Sequence, residues 1–327
     1  MSALLSRYAE SIYWLARYVE RAENLARILD VNESFSRDSR GGQNWGSIVT
    51  LYADEENFRE RHGSGEPDAG SVLRYYLLDT GNTGSVVSSI RAARDNARTL
   101  RPLISTEMWA QLNMFYNWVR ALGPEDVAEE RLARLCARIK EGCQTHTGIT
   151  EGTFYRDAGW HFYQIGRCIE RADQTTRLLD VKYHLLLPRI ADVGSPLDVS
   201  QWNALLRSAA GYHAFRRIYP SGMTVPKIAQ FLLFNPSFPR SVLACVNELD
   251  RMVTEVRSRY HLRGGVAASE ELDDLRSVLG HEPIDSVLER GLHEFIDWVQ
   301  VRLNAMHSAL GRDFFGSGVE QGQRQSA

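Results

Sequence analysis

The stretch Tyr13–Val31, YWLARYVERAENLARILDV, returns at Tyr163–Val181 as YQIGRCIERADQTTRLLDV. The two lie 150 residues apart and agree at nine of nineteen positions, including Tyr13/Tyr163, Arg17/Arg167, Glu20/Glu170, Arg21/Arg171 and Arg27/Arg177. In the first, Ile12, Leu15, Val19, Ala22, Ala26 and Leu29 recur every three or four residues, the apolar seam of a long helix. Phe162, Ile165, Ile169, Ala172, Thr176 and Leu179 keep that seam in the second. A fold for this chain must therefore pack one charged helix twice, in like surroundings.

The likeness extends past the helix. Trp45 and Trp202 are 157 residues apart, as are Phe58-Arg59 and Phe215-Arg216. VLRYYLLD (Val72–Asp79) resembles KIAQFLLF (Lys227–Phe234), and each precedes a turn-rich loop, TGNTGS or NPSFPRS, that opens another helical pattern. The reading is an all-α chain: an internally duplicated helical bundle with two pseudo-repeats, 1–150 and 151–315, and a disordered tail over 316–327. Ser2 is the expected cap of the first helix and Ser105 of STEMWAQLNMFYNWVRAL. One helix is expected from Pro124 through Gly142, with acids in its first turn. SEELDDLRSVLG and PIDSVLERGLHEFIDWVQVRLNAMHSALG read as helices too. Nothing shows strand alternation.

Composition narrows the function. The 327 residues are 43% hydrophobic and 24% charged, enough for a large core. A net charge of -3 gives no global field for nucleic acid. No apolar run approaches the roughly 20 residues of a membrane helix. Arg7 and Glu10 interrupt the N-terminal apolar pattern, so no signal peptide is expected. Cys136, Cys143, Cys168 and Cys245 form no CxxC, and scattered thiols fit a reducing cytoplasm.

The segments RYAESIYWLARYVERAENLARILDV, GWHFYQIGRCIERADQTTRLLDV, SSIRAARDNARTLR and FLLFNPSFPRSV resemble the bacterial alpha-E domain family, through about Gly311. The resemblance implies a helical fold and an accessory role beside circularly permuted ATP-grasp-like ligases and transglutaminase-like peptidases, in peptide or amide synthesis or modification. It carries over no catalytic residues.

Three groups of side chains are candidate binding sites. Glu20, Arg21, Glu170 and Arg171 stand in the repeated helix. Arg17, Glu20 and Arg27 are expected opposite the apolar seam, in an i,i+3 and i,i+4 ladder with Glu23 and Asp30 that Arg167, Glu170, Asp173, Arg177 and Asp180 repeat. Each exposed pair of that kind contributes only a few tenths of a kcal/mol, so burial or a shared ligand site explains the repetition better. Arg91, Arg94, Arg98 and Arg101 line one edge of a second helix, after a loop in which Asn82 and Ser85 precede free backbone N–H groups. That edge suits an anionic small molecule, a peptide or an acidic partner, or else pairs with neighbouring acids. Asn235 and Arg240 sit in a proline-stiffened loop fit either to present them or to set a helix entrance. No Glu-x-x-His pair, HExxH, Walker pattern or G-x-G-x-x-G occurs, so no metal or cofactor is assigned. The expected role is a cytoplasmic accessory or scaffold protein with a ligase or peptidase partner. The alternatives are an enzyme with its site between the repeats, and an anionic-ligand-binding regulatory module.

Overall fold

In the computed structural model, which describes residues 4–38, 45–186, 196–220, 222–260 and 264–315, the regular structure is entirely helical. Two long helices form the centre: α1 (Ser6–Asp38) and α8 (Ala158–Leu186), which carry the two matching stretches of sequence, packed on each other. Gly166 of α8 lies against the backbone of Tyr13 of α1, where an added Cβ would overlap the Tyr13 carbonyl oxygen. That closeness leaves no room for a larger residue and brings the charged positions of both helices within hydrogen-bond reach.

Short helices α2 (Gly46–Leu51), α3 (Glu55–His62) and α4 (Ala69–Leu77) lead to α5 (Val86–Thr99), which packs on α1. After α6 (Thr106–Val119), α7 (Glu129–Thr153) returns to α1. Beyond α8 the plan recurs. The short helices α9 (Pro196–Ser208), α10 (Tyr212–Ile218) and α11 (Val225–Phe234) precede α12 (Val242–Arg259), which packs on α8. Then come α13 (Val266–His281), α14 (Ile284–Arg290) and α15 (Leu292–Leu310), which lies on α8 and α13, and a π-helical turn at Gly311–Phe315. Two short helices cross over: α2 packs on α8, and α9 packs on α1.

The helix starts follow local chemistry. Ser85, Ser105 and Ser241 are extended residues whose hydroxyls accept the N–H groups of Ser88, Met108 and Ala244. Ser85 Oγ also donates to the Asp79 carbonyl and Ser241 Oγ to that of Asn235, so the two loops close alike.

Two expectations are corrected. The helix expected from Pro124 is two elements, because Ala128 is extended (φ -62°, ψ 145°) between a 3-10 turn at Pro124–Val127 and α7. There Asp126 turns back to accept the Gly123 N–H at 2.9 Å. The helix expected from Pro283 onward breaks at Gly291, whose φ of +110° only glycine adopts readily. On the face opposite the seam of α1 the repeated charges are buried, one of the two explanations that their repetition suggests. Arg17, Glu20, Glu23, Asn24, Arg27 and Glu33 are all buried, because α5, α7, α8 and α9 enclose the helix. The expected cap at Ser2 and the tail at 316–327 lie outside the described residues.

Candidate functional site

The Glu-Arg dipeptides of the central helices bind each other crosswise. Glu170 of α8 receives Arg17 Nε at 2.7 Å, Arg21 Nε at 2.7 Å and Arg21 Nη2 at 3.1 Å, all from α1. Glu20 of α1 receives Arg171 Nε at 3.0 Å and Nη2 at 2.8 Å from α8. Both carboxylates are almost fully buried, 2% and 1% exposed, and each meets a guanidinium fork side-on. Burial alone would raise the Glu170 carboxyl; Arg21 and Arg17 outweigh it and hold it down at about 2. Glu20 is likewise lowered: burial opposes ionisation, and Arg171 and Arg240 overcome it.

These contacts replace much of the ladder expected within each helix. Arg17 reaches Glu170 rather than Glu20; Arg167 pairs with Glu151 of α7 at 3.1 Å; Asp30 pairs with Lys140 at 2.7 Å. Glu23–Arg27 and Asp173–Arg177 do form, at 2.6 and 2.9 Å. The spare nitrogens of those arginines leave their own helix. Arg27 Nη1 donates to the Ser208 carbonyl of α9 at 2.6 Å, and Arg177 Nη1 to the Leu51 carbonyl of α2 at 2.9 Å. Each arginine thus fastens the short helix that crosses over from the far half of the sequence.

The two carboxylate clusters end differently. At Glu20 and Glu23 the space is closed by Arg240, whose Nη1 lies 2.9 Å from Glu20 and whose Nη2 lies 2.6 Å from Glu23. At Glu170 and Asp173 a cleft of about 290 Å³ opens instead. One wall is α1 and α8, with Arg17, Arg21, Glu170, Asp173 and Arg177. The other carries Asp54, Glu60 and Arg61, and the Gly81–Gly84 loop forms its rim. Tyr76 donates to Asp54 at 2.9 Å, and Tyr52 to Gln174 at 3.0 Å. Burial raises the Asp54 carboxyl.

The remaining candidates scatter. Arg94 stacks over Trp109 and Tyr116 of α6, 5.6 and 5.3 Å from their ring centroids, and donates to Asn113 at 3.1 Å. Arg101 also lies over Trp109, while Arg98 is exposed beside Asp95 and Arg91 reaches the Thr80 carbonyl at 3.4 Å. Asn82 is buried at the cleft rim, tied to the Tyr75 carbonyl at 3.2 Å, and Ser85 caps α5 behind it. Asn235 accepts the N–H groups of Ser237 and Phe238, both at 2.9 Å, stiffening the loop that aims Arg240. Glu23 and Asp173, read only as ladder members, are central to the clusters, and their 150-residue spacing was the available signal. Asp54 and Arg61 carried no such signal, since they reach the cleft only through the crossing of α2 onto α8.

A family model described as a predicted alpha-helical domain with a conserved ER motif matches residues 4–315, nearly the whole chain. The chain belongs to the Alpha-E family. Curated relatives are uncharacterised proteins of Mycobacterium bovis and Mycobacterium tuberculosis, each 24% identical over 308 residues. These matches cover 88% of this Alpha-E chain and 34% of each relative, so the chain spans about a third of their length. No solved structure matches it. Among the described residues, no helix of this Alpha-E protein is long and apolar enough to cross a membrane.

Proposed function

We propose that this Alpha-E protein is a helical accessory module of a peptide or amide synthesis or modification system, organising an ATP-grasp-like ligase or a transglutaminase-like partner. The observation that carries this reading is the crosswise Glu-Arg lock. Its carboxylates are saturated with guanidinium donors and held ionised, a state that suits rigidity and not proton transfer near neutral pH. In the relatives, moreover, the matching region is one third of a longer chain, as suits a module that works alongside other domains. The four cysteines, buried and unpaired, are in keeping with a cytoplasmic setting.

A tandem duplication, 1–150 and 151–315, accounts for the paired features. The Arg27–Ser208 and Arg177–Leu51 bonds are related by shifts of 150 and 157 residues, the same offsets that relate the sequences. The rival enzyme reading draws on the open cleft, which places carboxylates and arginines together between the halves. One assay separates the two. A co-encoded ATP-grasp-like ligase is titrated with this protein while its ATP-dependent amide formation is followed. The accessory reading expects saturable binding and a changed ligase rate, with no turnover by this chain alone. Product formed by the chain without the ligase, or neither binding nor a changed rate, contradicts it.

A further inference from the structure

The closed and open clusters differ at one position above all. Arg240 closes the cluster at Glu20 and Glu23; at the offset of 156 residues that relates Ser85 to Ser241, its counterpart is Gly84, on the rim of the open cleft. Phe238, which stacks on Phe231 at 4.5 Å and fills the closed side, corresponds to the smaller Asn82. Glu23 corresponds to the shorter Asp173. The hydrogen bonds follow suit. Glu23 Oε1 receives Arg27 and Arg240, both at 2.6 Å. Asp173 Oδ2 receives Arg177 at 2.9 Å and the Gln174 amide at 3.4 Å, and among the described residues its Oδ1 has no donor. On Glu170, Arg17 supplies the extra bond that Arg240 gives Glu20, so the cation lacking from the open side belongs at Asp173.

The opposite wall is altered in the same sense. Asp54 and Glu60 face the cleft, and at the 157-residue offset their counterparts are Gly211 and Arg217. Arg61 on the same wall corresponds to Ile218, so at these matched positions Asp54 and Glu60 add two carboxylates while Arg240 and Arg217 are lost and Arg61 is gained, a net loss of one guanidinium on the open side. A cleft of about 290 Å³ lies at the small end of ligand sites and suits a metabolite or one side chain rather than a folded partner.

We infer that this cleft binds a small molecule or peptide side chain through a guanidinium group, seated against Asp173 beside Glu170 as Arg240 is seated against Glu23 beside Glu20. Arg240 spans two carboxylates with two nitrogens of one planar group, Nη1 on Glu20 and Nη2 on Glu23, a span that the single nitrogen of an ammonium group does not offer. The inference rests on the geometry of the two clusters and does not depend on the accessory role or on a common origin of the halves.

Calorimetry of the full chain with L-arginine and agmatine tests it, with L-lysine, L-glutamate and inorganic phosphate as comparison probes. Saturable binding of arginine or agmatine, tighter than that of lysine, is expected. Gly84→Arg places a tethered guanidinium at the rim, where the near neighbour is the Asn82 side chain at 3.3 Å. It should abolish binding while preserving or raising the melting temperature. Asp173→Asn keeps the shape and should weaken binding about tenfold or more, the scale of one charge-assisted hydrogen bond. The inference is overturned if no guanidinium compound binds, if only glutamate or phosphate binds, or if lysine binds as tightly as arginine. Arginine binding that survives Gly84→Arg in folded protein, or is unchanged in Asp173→Asn, overturns it equally; the second variant decides should the first not fold.

Discussion

Glu170 shows how one residue can set the pH range of the fold. Its carboxyl lies at about 2 in the folded chain against an ordinary 4.5, so the folded form binds its proton less readily than the unfolded form. The pairing with Arg17 and Arg21 therefore stabilises the fold above pH 4.5, and that contribution is lost as pH falls toward 2. Denaturation midpoints measured between pH 7 and pH 2 should fall steeply for the wild type. Glu170→Gln, weaker at pH 7, should lose less across that window; parallel curves would mean that Glu170 is not held ionised by its partners. Arg240 is the matching test on the closed side. Arg240→Ala strips one guanidinium from both Glu20 and Glu23 and should cost about 3 kcal/mol, as breaking buried pairs does. Lysine at that position restores the charge without the fork and should recover only part of the loss in urea denaturation.

Between elements, the approach of α1 to α8 sets the reach of every crosswise bond. Gly166 faces the Tyr13 backbone with no flexible side chain to give way, so Gly166→Ala must push the helices apart. The overpacking should cost about 1–3 kcal/mol. The internal comparison is Gly148, exposed near the C-terminal end of α7 with open space around it. Gly148→Ala should be neutral or stabilising by up to about 1 kcal/mol, from helix propensity alone. Thermal melts of the two variants check the contrast; equal effects would show that the α1–α8 approach tolerates a methyl group.

At the scale of the whole molecule, the helical class and the pairing of Tyr13–Val31 with Tyr163–Val181 could be read from apolar periodicity and matched charges. The direction of those charges could not. The ladder reading placed Arg17 with Glu20, because only neighbours along one helix are visible in a linear pattern. Burial by α5, α7, α8 and α9 turned that face inward and gave Arg17 to Glu170. The arginine edge of α5 was legible as a stripe, but the aromatic rings of Trp109 and Tyr116 beneath Arg94 depend on how α6 packs. The cleft was hidden for the same reason: Asp54 and Arg61 line it opposite α8 only because α2 crosses over to that helix. The central claim is that the two halves are locked by Glu-Arg pairs buried between them, and a double-mutant cycle on Glu20 and Arg171 tests it most directly. Glu20→Ala, Arg171→Ala and the double variant are compared with the wild type by urea denaturation. The lock predicts single losses of about 3 kcal/mol or more and a coupling of about 2 kcal/mol. A coupling below about 0.5 kcal/mol, as between solvated surface charges, would contradict it.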